Sequence, residues 1–274
     1  MNQARIYQFF KYLVYALLTV NVYVFFAEES AAMSFRFSDG FSFSDVIEGF
    51  AATIDTAAWV VLLLMFELET FVLADHHFTR KISLALHSLR AICYAFIVYA
   101  FYGYVTKLIF MMGTAPAAGI ADLCAIQMDT WAYAIDLDEY TIISQTNCAS
   151  FSEAASFLRF PGMEALVDAS GFTEIIRLAW VDVINAAVWL LVVLLLEIDV
   201  RLQDRGLLEG TALRVSTACK YVLYSTLFLA AVYWGWKGDF VDFWDAFLWL
   251  VAFVFIEMNV FEWRQEVRDE QEPA

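Results

Sequence analysis

The sequence predicts an all-α, polytopic helical membrane protein with six transmembrane helices, and three observations support this. First, 62% of the 274 residues are hydrophobic and the mean hydropathy is +0.64, whereas soluble domains are nearer half apolar. Second, apolar runs long enough for a bilayer core of about 30 Å recur along the chain. Third, the chain has only three prolines and eleven glycines. No alternating ten-residue segments indicate an outer-membrane barrel, so helices are expected to satisfy the backbone in lipid.

The spans and their orientation follow from the apolar runs and the basic residues between them. The six predicted spans are 9–28, 52–74, 88–112, 178–200, 217–237 and 242–263. With the N-terminus in the cytoplasm, eleven of the 16 lysines and arginines fall on the inner side. The positive-inside rule therefore favours both termini in the cytoplasm, and we expect a bacterial inner membrane. The net charge of −16 and an acidic outer face disfavour nucleic acid as a partner.

One pattern recurs in the three even-numbered spans. The shared form is Asp or Asn, three residues, Trp, seven residues, Glu, one residue, and then Glu, Asp or Asn. Its copies are Asp55–Trp59–Glu67–Glu69, Asn185–Trp189–Glu197–Asp199 and Asp245–Trp249–Glu257–Asn259. Spacings of four and eight keep the first three side chains on one broad helical stripe.

The odd-numbered spans carry a second pattern, in which a base precedes a tyrosine by four positions. Its copies are Lys11–Tyr15, Arg90–Tyr94 and Lys220–Tyr224. The two patterns agree in order and phase, so the chain reads as three tandem helical hairpins. Repeats in one orientation imply pseudo-threefold symmetry about the membrane normal. The hairpins would be residues 1–75, 76–203 and 204–274, the last with a cytoplasmic tail.

The second hairpin carries an outer insertion at about 113–172, which we expect to form a small cap of short helices. It contains Cys124 and Cys148. In an oxidising periplasm these two cysteines could form a disulfide. The alternative is two free, buried thiols.

The first two acids of an even-span pattern, such as Asp55 and Glu67, lie too close together for both to be outside the membrane. Eleven uncharged residues separate Asp55 from Glu67, which corresponds to roughly 18 Å of helix. We therefore expect the glutamates within the inner half of the membrane, opposite the bases of the odd spans. The predicted intramembrane pairs are Lys11–Glu67, Arg90–Glu197 and Lys220–Glu257, with hydrogen bonds from Tyr15, Tyr94 and Tyr224. Glu69 and Asp199 are expected at the interface.

Few residues suggest a metal, a cofactor or catalysis. The only histidines are His76, His77 and His87, and they do not form a recognisable metal motif. No phosphate-binding loop, nucleophile elbow or Cys-x-x-Cys occurs. We expect no cofactor, although the aromatic content leaves a quinone or pigment pocket open, and no catalytic constellation supports an enzyme.

Two function classes remain. The charge pairs and the acidic outer face favour transport or permeation of a cation, proton or small solute. Alternatively, the pairs only hold helices together in a non-enzymatic membrane subunit, such as a scaffold, assembly factor or sensor. The expected partners are the lipid bilayer and either another membrane protein or further copies of the chain.

Overall fold

The described chain is mostly helical. The computed structural model of the protein describes residues 3–36, 46, 49–69, 80–127, 130–152 and 156–271, with side chains described except at residues 3, 4, 36, 204 and 256–271. Its helices are α1 Gln3–Arg36, α2 Ala51–Glu67, α3 Arg80–Met112, α4 Cys148–Phe151, α5 Ala169–Asp204, α6 Gly210–Lys237 and α7 Phe240–Gln271.

Four of the described helices, α1, α3, α5 and α6, are long and apolar enough to cross a membrane. Their length and composition indicate an integral membrane protein. The other two predicted spans lie on α2, which has 17 residues, and on α7. A crossing by all six helices and a threefold arrangement therefore stay proposals.

The outer insertion forms a β-sheet, so the prediction of a cap of short helices, and with it a strictly all-α fold, was wrong. Its strands are β1 Ala115–Pro116, β2 Ala132–Ala134, β3 Tyr140–Ile142, β4 Phe157–Arg159 and β5 Ala165–Asp168, in the sheet order β1-β4-β5-β2-β3. Only β2 and β5 pair in parallel, with Ala132 opposite Ala165. We call residues 113–168 the cap. Its four-residue helix α4 is the only helix described there.

One compact unit comprises residues 22–190. In it, α2 packs on α3 around Ala58, Cys93 and Ile97. The cap has a separate core, in which Leu123, Ile143 and Leu166 are fully buried beside the aromatic ring of Phe157. The strands are too short to show an alternating pattern in the sequence, but their apolar side chains close this core.

The other compact unit comprises residues 1–21 and 191–274. Here α6 and α7 form a tight antiparallel hairpin. Gly238 takes φ +88°, and its amide and that of Asp239 both donate to the Trp234 carbonyl. This left-handed cap closes α6 and is best suited to glycine. Gly235 allows a close approach, because a Cβ there would lie 3.0 Å from the Phe243 ring.

Candidate functional site: buried charges of the helices

Arg90 and Glu69 form an ion pair between α3 and the end of α2. Arg90 Nη2 donates to Glu69 Oε2 over 2.6 Å, and both side chains are partly buried. Residues 68 and 69 continue α2 as a π-helical turn. Such a turn shifts the direction of the following side chain, and here Glu69 is the acid that meets α3.

Asp199 and Lys220 form the corresponding ion pair between α5 and α6. Lys220 Nζ lies 2.7 Å from Asp199 Oδ2, and Ser216 donates a second hydrogen bond of 2.6 Å to the same oxygen. Only 5% of the Asp199 side chain is exposed. A carboxylate so buried is stable only when charge and hydrogen bonds compensate its lost hydration.

The two ion pairs occupy matching positions in the two sequence patterns. Each joins the second acid of an even-span pattern to the base of the next odd-span pattern, and the separation is 21 residues in both, since 90 − 69 and 220 − 199 are equal. The acid that precedes this position by two residues, Glu67 or Glu197, takes no part in either pair.

Both bases have partners that the sequence analysis did not predict. Arg90 was predicted to meet Glu197, but Arg90 binds Glu69, and Glu197 binds Arg201 one turn along α5 at 2.8 Å. Lys220 binds Asp199, which we had placed at the interface. Helical phase separates the two acids of one pattern: two residues correspond to roughly 200° of rotation, so these acids face nearly opposite directions. Only one of them can face the neighbouring base.

The remaining predicted charges are buried or lie outside the described side chains. Lys11 is 2% exposed and Glu67 is 5% exposed. Lys11 Nζ lies 5.1 Å from the centre of the Tyr12 ring. The pairing of Lys11 with Glu67 stays a prediction. So does the pairing of Lys220 with Glu257, because Glu257 falls outside the described side chains.

In α7 the acid and the tryptophan of the recurring pattern, Asp245 and Trp249, contact each other. Trp249, four residues later, donates a side-chain hydrogen bond to the Asp245 carboxylate. Asn21 on α1 donates another, from Nδ2 to Oδ1 over 2.9 Å. A spacing of four places the two side chains on one face of the helix, so the pattern builds a hydrogen bond within α7.

The equivalent residues of the other two copies lie in the unit of residues 22–190. The Trp59 and Trp189 rings contact each other, with centroids 6.0 Å apart. Asp55 and Asn185 are both partly buried. This places two of the three tryptophans of the recurring pattern against each other.

The predicted supporting tyrosines differ in their surroundings. Tyr15 is buried, whereas Tyr94 is exposed on α3. Tyr224 makes an edge contact with Phe253 of α7 at 6.3 Å. Hydrogen bonds from these tyrosines to the predicted glutamates stay predictions.

Lys107 is the centre of a charged cluster that the sequence reasoning missed. It is 7% exposed on α3, and its ammonium donates to both carboxylate oxygens of Asp138, at 2.6 and 2.7 Å. Asp138 lies in the turn between β2 and β3. Asp182 of α5 and Glu29 of α1 also act on Lys107 electrostatically. We call these four residues the Lys107 cluster. A signal was present, because Lys107 is one of only five bases that the predicted topology places on the acidic outer face.

Glu29 also stabilises the start of α2. Its carboxylate accepts hydrogen bonds from the amides of Ala52 and Thr53, at 2.8 and 3.0 Å, and from the Thr53 hydroxyl at 2.6 Å. The first amides of a helix have no partners within the helix, and the helix dipole favours an anion there. The neighbouring α1 therefore supplies the cap of α2.

The cap is closed covalently, and the predicted disulfide is confirmed. Cys124 and Cys148 are bonded, with their Cα atoms 5.1 Å apart. The bond ties Cys124, in the segment between β1 and β2, to Cys148 in α4. The chain between β1 and β4 therefore cannot move freely away from the cap core.

Asp168 connects the cap to α5. It accepts hydrogen bonds from the Gly171 amide at 2.6 Å and from the Ser170 hydroxyl at 2.8 Å, as expected of an N-cap residue. Burial alone would raise the pKa of Asp168, but these bonds and one from Tyr133 outweigh it and lower the pKa below its ordinary value. Burial raises the pKa of the Tyr133 hydroxyl, which therefore stays protonated as a donor.

These sites consist mainly of paired charges and helix caps, and reactive groups are few among them. Among the described residues, no three His, Cys, Asp or Glu side chains are placed to hold a metal ion. Comparison with known proteins assigns neither a family nor a function, because no family model, no curated protein and no solved structure matches this chain.

Proposed function

We propose that this chain is a non-enzymatic membrane subunit, acting as a scaffold, assembly factor or sensor, in which paired charges hold adjacent helices in register. The observation that carries the proposal is the repeated ion pair. Glu69–Arg90 and Asp199–Lys220 are in direct contact at 2.6 and 2.7 Å. A relay group must exchange its proton or ion with water or a neighbour, whereas these charges are already one another's partners.

Transport or permeation of a cation, proton or small solute is the second candidate, and Asp245 favours it. This carboxylate lies on an apolar helix and is held by neutral donors, Asn21 and Trp249, without a basic partner among the contacts described. Ionisable groups within membrane helices often belong to ion or proton pathways.

Reconstitution into liposomes tests both candidates. The subunit proposal predicts no proton, Na⁺ or K⁺ flux above protein-free liposomes, together with a lower melting temperature for Asp199→Asn and Lys220→Met. Glu197→Gln is the matched control, because its i,i+4 pair with Arg201 is exposed. Robust flux that Asp245→Asn abolishes, at an unchanged melting temperature, would replace the subunit proposal by permeation.

The topology that accompanies this function is also a proposal. It comprises three tandem hairpins with six crossings, pseudo-threefold symmetry, both termini in the cytoplasm and a bacterial inner membrane as the location. The matching 21-residue separation of the two ion pairs supports the repeat. Membrane-impermeant alkylation of single cysteines placed at residues 2, 120 and 272 tests it. In cells whose outer membrane is permeabilised and whose inner membrane is intact, the proposal requires labelling of residue 120 alone.

A further inference from the structure

Three of the membrane-length helices are longer than a bilayer requires. α1, α3 and α5 have 34, 33 and 36 residues, so each is about 50 Å long. The hydrocarbon core of a bilayer is about 30 Å thick. About 20 Å of each helix must therefore lie outside the core, and the exposed side chains indicate at which end.

Exposed aromatic side chains mark one boundary of the core. Tyrosine and tryptophan favour the interface between lipid and water, because the ring is apolar and its polar group reaches water. The exposed residues of this kind nearest the cap are Tyr23 on α1, Tyr102 on α3 and Trp180 on α5. They lie 13, 10 and 11 residues from the cap-side ends of their helices, which corresponds to roughly 15 to 20 Å in each case.

Exposed bases mark the opposite boundary on the same three helices. Arg5, Arg80 and Arg201 lie 18, 22 and 21 residues from the aromatic residue of their helix. These intervals correspond to roughly 27 to 33 Å, which is the thickness of the hydrocarbon core. Arginine at such a position extends its charged end to the headgroups. Each helix therefore carries one bilayer thickness between two interfacial residues.

The helix α6 repeats the interval in the other compact unit. Its exposed Trp236 lies 22 residues after the exposed Arg214, or about 33 Å along the helix. α6 ends at Lys237, directly after this tryptophan. The spacing therefore recurs in a helix that has no long extension beyond its aromatic residue.

The exposed surfaces of α1 and α5 change character at the same level. On the membrane side of Tyr23 and Trp180 the exposed residues include large apolar ones, such as Val20 and Ile184. Towards the cap the exposed residues are small or polar. Beyond Phe26 of α1 they are Ala27, Ser30, Ala31 and Ser34, and before Trp180 of α5 they are Ala169, Ser170, Thr173 and Arg177. Side chains of the first kind suit lipid, and those of the second kind suit water.

We propose that the bilayer ends at the level of Tyr23, Tyr102 and Trp180, and that the helices continue beyond it as a stalk of residues 27–36, 103–112 and 169–179. The stalk holds the cap roughly 15 Å away from the hydrocarbon core. Lipid covers the large apolar side chains on the other side of this level. The proposal rests on membrane insertion alone, and neither the direction of insertion nor the proposed function enters it.

The boundary separates the two groups of buried charges. Glu29 lies six residues beyond Tyr23, and Lys107 lies five beyond Tyr102, both towards the cap. These members of the Lys107 cluster therefore belong to the stalk. Arg90 lies twelve residues from Tyr102 in the opposite direction, about 18 Å into the bilayer. Its pairing with Glu69 is then an intramembrane ion pair, in a place where an unpaired charge is costly.

Spin labels on single cysteines test the boundary on α3. The background is the full chain with Cys93→Ala and Cys219→Ser, in which the two remaining cysteines are bonded and do not react. Val98→Cys and Ile109→Cys are labelled and reconstituted into phospholipid liposomes. Both residues are exposed, and their eleven-residue separation is about three helical turns. They therefore share one face and differ in level, and Ile109 is decisive because its apolar side chain alone would be assigned to lipid.

Ile184→Cys and Thr173→Cys form the matched pair on α5, also eleven residues apart and exposed. Relaxation of each label by oxygen, which concentrates in hydrocarbon, is compared with relaxation by a water-soluble nickel chelate. We expect oxygen to dominate at residues 98 and 184 and the nickel chelate to dominate at residues 109 and 173.

Either reversal would overturn the proposal. Oxygen dominating at residue 109 or 173 would show that lipid reaches the cap, so that no stalk exists. The nickel chelate dominating at residue 98 or 184 would show that the boundary lies deeper. Met112→Cys provides a second position on the same part of α3 if Ile109→Cys lowers the melting temperature, because Met112 is also exposed.

Discussion

Arg90 of α3 lies 2.6 Å from Glu69, a residue of the π-helical turn that continues α2. The contact joins the second acid of the first even-span pattern to the base of the second odd-span pattern. Asp199 and Lys220 repeat the relationship. If the chain is a tandem repeat, these two ion pairs therefore connect successive hairpins.

The pair of Arg90 and Glu69 should contribute measurably to stability. We expect Glu69→Gln or Arg90→Met to lower the free energy of unfolding by about 1 to 2 kcal/mol, because each change leaves a half-buried charge unpaired. The double substitution should cost less than the sum of the two. Thermal melts in detergent measure this, and strict additivity would show that the contact is energetically silent.

Asp199 should be more sensitive than Glu69, because it is more deeply buried and binds both Lys220 and Ser216. We expect Asp199→Asn to cost about 3 to 5 kcal/mol and Ser216→Ala about 1 kcal/mol. Glu197→Gln, two residues away on the exposed face, should change stability by less than about 0.5 kcal/mol. An equal effect of the two acid substitutions would contradict the observed burial.

The contact of Asn21 with Asp245 should depend on the amide donor. Asn21→Leu removes a donor from a buried carboxylate, and we expect a loss of about 1 to 3 kcal/mol. Asn21→Gln keeps a donor and should recover part of it. Trp249→Phe provides a second check, since it deletes the other donor. Intrinsic tryptophan fluorescence follows unfolding in the Asn21 variants, and a Leu variant as stable as the wild type would exclude the bond.

The disulfide should stabilise the cap. Cys124→Ser opens a loop of 24 residues, and we expect a loss of about 2 to 4 kcal/mol, or less if the reduced cap keeps residual structure. Limited proteolysis between residues 124 and 148 should become faster. The wild-type chain should shift on a non-reducing gel after reduction and alkylation, and a variant that shifts in the same way would refute the bond.

Acid should weaken the junction of the cap with α5. Because the folded pKa of Asp168 is lowered, its contribution is complete above its unfolded value near pH 4 and is lost as the pH falls through the lower folded value. Asp168→Asn should remove this dependence while keeping the side-chain shape. Melting temperatures between pH 2 and pH 6 measure it, and identical pH profiles of variant and wild type would contradict the prediction.

Periodicity and charge spacing predicted much of the helical part, because apolar runs translate directly into long helices. They also identified the bases, Arg90 and Lys220, that form the ion pairs. The acids that meet these bases, Glu69 and Asp199, were not predicted as their partners. A pattern shared by both acids cannot say which of them faces the neighbour, and the π-helical turn at residue 69 leaves no mark in the sequence.

The cap sheet and the Lys107 cluster were beyond sequence reasoning for a different reason. Strands of two to four residues carry no period, and their pairing joins segments tens of residues apart, such as Ala115 with Arg159. Lys107 and Asp138 likewise meet only because the cap folds back over α3. Cys124 and Cys148 were the exception, since two cysteines in one predicted outer loop limit the choice of partners.

The sheet also determines a distance in the helical part. α3 runs almost directly into β1, and β5 runs directly into α5, with one strand, β4, between them. Two strand spacings amount to about 10 Å, which is the usual distance between the axes of packed helices. The cap thus sets the separation of the ends of α3 and α5. Any insertion that separates β4 from its neighbouring strands would therefore move the ends of those two helices apart.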